Sequence, residues 1–247
     1  MKVLLAAELL KLRTTRTFVA VAAVAVATSM LIAGLTSLLS EPSEESVLTD
    51  VFTSDTSSLF ILILAIVGIS GEWRHRTITS SLLAAPDRLR FLAAKTLAFA
   101  AAGLILSLLI SIAVAILGFA LLSSRDLPVP EGAELAAQIG RNAIVAALLG
   151  GFGVGIGVLV RNQPVAIVGV LVLSFAVEPA VLGLVPDVGR FGPFVALPVG
   201  VQDVPAADVG FEDIRPLSPA LATLALLGWL SASFAAGYAL LRRRDLD

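Results

Sequence analysis

The sequence predicts an all-α integral membrane protein with six transmembrane helices in a single domain over residues 1–247. Three observations predict it. Hydrophobic residues make up 57% of the 247 and charged residues 15%, and the mean hydropathy is +0.97. A soluble domain carries roughly 25% charge, and a chain of this length cannot hide so much apolar surface in one core. The apolar residues also fall into six stretches near the roughly 20 residues that cross about 30 Å of hydrocarbon. The alternating segments of about 10 residues that mark an outer-membrane barrel are absent.

The same figures narrow the function. High hydropathy excludes disorder. A net charge of -2 gives no polyanion-binding footprint, so no nucleic acid is expected as a partner. With no cysteine, there are no disulfides, thiolate metal sites or cysteine nucleophiles.

Residues 1–16 interleave Val3, Leu4, Leu5, Leu9, Leu10 and Leu12 with Lys2, Glu8, Lys11 and Arg13. Glu8, Lys11 and Thr15 share one face at helical spacing. This suits a helix lying on the membrane surface, and equally a plain basic flank to the first span. That span, 17–39, carries no charge and is longer than a signal-peptide core. The second covers about 52–71, with Asp55 near its outer end. The third, 96–122, is long enough to tilt.

Between the second and third spans runs Glu72-Trp73-Arg74-His75-Arg76-Thr77-Ile78-Thr79-Ser80-Ser81-Leu82-Leu83-Ala84-Ala85-Pro86-Asp87-Arg88. It is too long for a tight hairpin. Thr79 or Ser80 suits a helix cap and Pro86 a stop, which outlines a short helix flanked by arginines. A solvated basic loop fits these residues as well. His75 is the sole histidine; a metal site needs several ligands, so it reads as a loop residue.

The fourth span, 142–160, contains Gly151, Gly153, Gly155 and Gly157, two overlapping small-xxx-small pairs that let helix backbones approach closely. Contact within one bundle and contact across a dimer are both compatible with them. Arg161-Asn162-Gln163-Pro164 makes a short turn, so the fifth span, 164–185, should return antiparallel. Glu178 lies near its outer end, at a depth that allows solvation. Some thirty Pro- and Gly-rich residues follow, in which the apolar stretch 191–201 is too short to cross and suits a segment that dips into the membrane and returns. The sixth span is 217–241.

Charge asymmetry sets the expected orientation. With the N-terminus inside, the inner segments hold Lys2, Lys11, Arg13, Arg16, Arg74, Arg76, Arg88, Arg90, Lys95, Arg161, Arg242, Arg243 and Arg244, thirteen of the 17 basic residues. Only Arg125, Arg141, Arg190 and Arg215 face out. Both termini are therefore expected in the cytoplasm. No phosphate-binding G-x-x-x-x-G-K-[ST] loop occurs, and the spans carry no mid-depth charge. The chain is not expected to be an enzyme or to bind a cofactor, and an energy source on another chain fits better.

Three segments resemble the permease subunits of ABC-2 type, or type V exporter-like, ATP-binding cassette transporters. Glu8 to Arg16, including Lys11 and Arg13, is similar to their elbow helix. Glu72, Arg74, Arg76, Thr77, Ile78 and Thr79, then Leu82, Leu83, Pro86, Arg88 and Lys95, are similar to the loop that couples them to the ATPase. The ending Arg242-Arg243-Arg244-Asp245-Leu246 is similar to theirs. The resemblance covers the whole chain in span number and order. It implies two cassette ATPase subunits on the inner face, binding ATP and Mg, and a second permease chain as homodimer partner or sister subunit. It also implies a coupling helix near 77–85, a re-entrant outer segment before the last span, and residence in the cytoplasmic membrane of a prokaryote. Exporters of drugs, antibiotics or lipids are the expected functional class. A non-transporting assembly or sensor module and a secondary transporter are the alternatives.

Overall fold

The structure, a computed structural model, describes residues 2–74, 77, 87–205 and 216–243. Every regular element among them is helical: α1 (Lys2–Thr14), α2 (Arg16–Leu39), α3 (Val47–Val51), α4 (Ser57–Arg74), α5 (Arg88–Ser124), α6 (Gly132–Leu159), α7 (Gln163–Leu184), α8 (Pro186–Gly189), α9 (Ala196–Gln202) and α10 (Pro219–Arg243). Six of these, α2, α4, α5, α6, α7 and α10, are long and apolar enough to span a membrane. The end of the bundle bearing Lys11, Arg74, Arg88 and Arg161 is called its basic end below, and the opposite end its acidic end.

Several boundaries differ from the sequence reading, each for a local reason. Helix α4 starts at Ser57 rather than near 52, because the Asp55 carboxylate accepts the Ser57 backbone N–H at 2.8 Å and caps the helix there. Helix α5 starts at Arg88, eight residues before the expected span, with Asp87 accepting the N–H groups of Leu89 and Arg90 at 3.0 and 3.2 Å. Lys95 therefore sits two turns inside a helix and not in a loop. Helix α6 starts at Gly132, not Asn142, so three polar turns precede its apolar run. Helix α7 is interrupted by a wider π turn at Leu173–Val177, just before Glu178-Pro179. Proline has no N–H to give and its ring crowds the preceding turn, and a π turn is one way a helix accommodates such a defect.

Helix α6 is the most enclosed span and organises the bundle. Its glycines set the spacing. A Cβ on Gly150 would lie 2.6 Å from the Phe99 carbonyl oxygen of α5, and one on Gly153 would lie 2.7 Å from the Leu62 carbonyl oxygen of α4. Gly157 backs onto Ile69 of α4. Gly151 and Gly155 face α10, against Leu230 and Ser233. The two small-xxx-small pairs thus serve two different helices of the same chain. Without a hydrophobic drive between helices in lipid, such close backbone contact is what makes dispersion attraction large enough to hold them.

The apolar side chains form three clusters. One joins α4, α5, α6 and the end of α10 around Ile61, Phe91 and Phe99, with Leu4 and Leu12 of α1 packed on it. A second joins α4, α6, α7, α9 and α10 around Phe152 and Leu197. The third joins α2, α3 and α5 around Val51, Phe52 and Ile110.

Candidate functional site

Four charged side chains from three helices meet at the basic end. Lys95 of α5 is 2% exposed, and its Nζ donates to Glu8 Oε2 of α1 at 2.7 Å and to Glu72 Oε1 of α4 at 2.8 Å. Lys11, one turn beyond Glu8, donates to Glu8 Oε1 at 2.7 Å and to Glu72 Oε1 at 3.3 Å. Two carboxylates and two ammonium groups make a neutral set, which is the condition for holding charges out of water. Glu72 Oε2 is buried and accepts no hydrogen bond among the described residues.

Burial pushes the Glu8 carboxyl up, but the ammonium groups of Lys95 and Lys11 outweigh it and hold it below its ordinary value. Burial likewise works against the Lys11 charge, and the bond to Glu8 with the charge of Glu72 outweighs it, so Lys11 lies above its ordinary value. Both groups are thereby ionised across the neutral range.

The cluster places α1. Glu8 is the buried residue of that helix, and Leu4 and Leu12, one turn to either side, pack beside it on the core. Thr15 Oγ1 donates to the Lys11 carbonyl at 2.5 Å. Glu8 is thus turned toward the bundle, while Lys11 and Thr15 on the same face stay exposed at its edge. Arg13 and Arg16 are exposed.

Of the residues expected to grip an ATPase, Glu72 and Arg74 end α4, Thr77 follows it, and Arg88 opens α5. The Arg88 guanidinium donates to the Leu241 carbonyl of α10, and the Arg161 guanidinium stacks 4.3 Å from the centre of the Trp73 ring. The base of the expected coupling loop is thus fastened to α1, α10 and the turn between α6 and α7. Arg76, Ile78, Thr79, Leu82, Leu83 and Pro86 lie outside the described residues, as do His75, Arg244 and most of the expected helix at 77–85.

Two acids differ from expectation. Glu178 does not face solvent: it is 7% exposed, and its carboxylate accepts the backbone N–H groups of Phe194, Val195 and Ala196 at 2.9, 2.7 and 2.8 Å. It closes the segment 191–201 onto α7, where the sequence alone suggested solvation. A second tie, from Trp229 Nε1 of α10 to the Phe191 carbonyl at 2.9 Å, holds the same segment from the other side. Leu197 and Val201 of α9 are buried against α6 and α10.

Asp55 is also buried. Its Oδ2 accepts the hydroxyls of Ser107 and Ser111 on α5, the latter at 2.8 Å. Ser111 accepts in turn from Asn142 Nδ2 of α6 at 3.1 Å, and Asn142 Oδ1 accepts from Gln138 and from Gln202 of α9. Ser107 and Ser111 lie twelve and sixteen residues beyond Lys95, about 18 and 24 Å along the helix. Asp55 thus lies at the outer end of α4, where the sequence placed it, but it is buried among its neighbours. Its satisfaction by hydroxyl and amide donors is what makes the burial tolerable.

Between α6, α7 and α10 lies a cleft of about 800 Å³ that runs from Val160 and Val165 at the basic end to Val188 and Phe191 at the acidic end. Its lining is apolar apart from Glu178, whose oxygens are already committed, and Ser233, whose hydroxyl is bonded to the Leu230 carbonyl. No family model and no curated protein matches the sequence.

Proposed function

We propose that this chain is the transmembrane permease subunit of an ABC-2 type transporter, exporting a hydrophobic or amphiphilic compound such as a drug, an antibiotic or a lipid. The observation that carries this reading is the Glu8–Lys11–Glu72–Lys95 cluster. It fastens the N-terminal helix to both helices that bracket the loop 75–87, so a push on that loop reaches α1, α4 and α5 together. In this reading α1 is the elbow helix, the loop holds the coupling helix, and the Glu178-bound segment 191–201 is the re-entrant outer element. The basic end faces the cytoplasm, two ATPase subunits dock there with ATP and Mg, and a second permease chain completes the path. The apolar cleft between α7 and α10 gives a hydrophobic cargo a lateral berth without charge to neutralise.

The two permease bundles rocking against one another would convert closure of the ATPases into a change of access. The test is retention of partners. The intact chain, purified gently from its own membranes, is expected to bring down a cassette ATPase identified by mass spectrometry. Its absence under conditions that keep other transporter complexes whole would sink the proposal. One observation favours a secondary transporter instead: Asp55 is a buried acid of the kind ion-coupled carriers use. Transport driven by an ion gradient in vesicles of the purified chain alone would select that reading.

A further inference from the structure

Beside the charge cluster lies a pocket of about 510 Å³ between α1, the start of α2, the last three turns of α4, the first turns of α5 and the start of α7. Its deep wall is apolar: Phe18, Leu64, Val67 and Phe99. Leu64 is eight residues before Glu72, so this wall reaches about 12 Å from the charged rim toward the bilayer centre. The rim carries donors that the fold leaves over. Lys11 has three ammonium protons and uses two, on Glu8 and Glu72. Arg74 is exposed on the same rim. Glu72 also lines the pocket, and its Oε2, buried behind the rim, has no donor among the described residues, so a turn of the carboxylate toward a donor in the pocket would gain a bond.

We propose that this pocket binds an aminophospholipid, phosphatidylethanolamine, from the leaflet at the basic end of the bundle. The ammonium donates to the Glu72 carboxylate, the phosphodiester accepts from Lys11 and Arg74, and one acyl chain lies along Phe18, Leu64 and Val67. Loss of the Lys11–Glu72 Oε1 bond, at 3.3 Å the longest of the cluster, frees the carboxylate to turn its unpartnered Oε2 to the lipid ammonium. Lys11 is then released toward the phosphate while Lys95 keeps its bonds to both acids. A headgroup with both signs of charge suits a rim whose charges balance apart from Arg74, whereas phosphatidylglycerol offers the two carboxylates only neutral hydroxyl donors and no cation. The site depends on membrane embedding and not on any ATPase, so it stands or falls apart from the permease reading.

The experiment is native mass spectrometry of the purified full chain, without an ATPase, with phosphatidylethanolamine, phosphatidylcholine or phosphatidylglycerol added to the detergent at equal concentration. Phosphatidylethanolamine is expected to be retained about tenfold better than the other two, because phosphatidylcholine lacks N–H donors and phosphatidylglycerol lacks the amine. Equal retention of all three, or preference for phosphatidylglycerol, overturns the proposal. Gly71 lines the pocket and a Cβ there meets nothing within 4 Å, so Gly71→Leu starts its side chain in open space at the pocket and narrows it. It is expected to abolish the preference with the thermal unfolding of the chain unchanged, and wild-type retention by this variant also overturns the proposal. Should Gly71→Leu fail to fold, Arg74→Gln serves instead, with an expected loss of about tenfold for phosphatidylethanolamine; no loss counts against the site.

Discussion

Lys95 is the residue on which most of the basic end converges. Its burial is tolerable only because two carboxylates face it, and removing one partner of a buried pair leaves an uncompensated charge that costs about 3–5 kcal/mol. Lys95→Met is therefore expected to destabilise the chain by about 3 kcal/mol, read as a lowered unfolding midpoint in detergent. Adding Glu72→Gln should restore part of the loss, since one stranded carboxylate is removed; a double variant no better than the single would show that the pair is not what stabilises. The glycines of α6 answer to packing rather than charge. Gly153→Ala puts a methyl group 2.7 Å from a backbone oxygen of α4, which cannot swing aside, so about 1–3 kcal/mol of stability should be lost as the helices separate. Gly228, in the interior of α10, has nothing within 4 Å of its would-be Cβ. Gly228→Ala should be neutral or stabilising by up to about 1 kcal/mol, from helix propensity alone. Equal effects of the two substitutions would contradict the assignment of Gly153 to the α4 contact.

At the scale of elements, α1 is attached through groups that titrate, so its docking depends on pH with a definite sign. Glu8 is held below its ordinary value, so its contribution is complete above the ordinary carboxylate range and is lost as pH falls through the depressed value. Lys11 is held above its ordinary value, so its contribution is complete below the ordinary lysine range and is lost as pH rises through the raised value. Helix α1 is accordingly expected to stay docked through neutrality and to loosen in acid below the ordinary carboxylate range. Amide hydrogen exchange should show α1 losing protection there while α6 keeps it; uniform loss in both helices would mean that the bundle opens as a whole. The six apolar runs were legible in the sequence because hydropathy acts locally, and the face carrying Glu8, Lys11 and Thr15 was legible from helical spacing. The helix starts were not, because Asp55 and Asp87 cap their helices at positions set by side-chain geometry, and the polar turns 132–142 of α6 are held by partners at Phe52 between α3 and α4, on α5 and on α9. Pairing across 87 residues, Glu8 with Lys95, leaves no local pattern at all. The one available signal was compositional: Glu8 and Glu72 are acids standing among the cations of an otherwise basic end, and an out-of-place charge asks for a partner.

For the whole molecule, the division between a basic and an acidic end is what the proposed function depends on, because an ATPase partner could dock only where ATP is. Arg74, Arg88, Arg161 and Arg242 stand at one end, while Glu44, Glu45, Asp126 and Glu131 stand at the other. Retention of cations on the cytoplasmic side during insertion predicts that the basic end faces inward, and the chain's lack of cysteine makes this directly measurable. Single cysteines at exposed positions of the two ends, Arg13→Cys beside α1 and Glu44→Cys before α3, leave the charge cluster and the glycine contacts untouched. A membrane-impermeant thiol reagent added to intact cells is expected to label Glu44→Cys and spare Arg13→Cys, with the pattern reversed in inside-out vesicles. The opposite pattern would place the cluster and the loop 75–87 outside, away from any nucleotide. The permease reading would then fail outright, because no conformational linkage through Glu72 and Lys95 could connect that loop to an ATPase. With the expected pattern in hand, replacing residues 77–83 by a flexible Gly-Ser segment separates the two roles of this end. Insertion and labelling should be unchanged, since no span and no member of the cluster is altered, while ATP-driven export falls to background. Export that survives the replacement would mean that the force enters elsewhere, through α1 or the turn at Arg161.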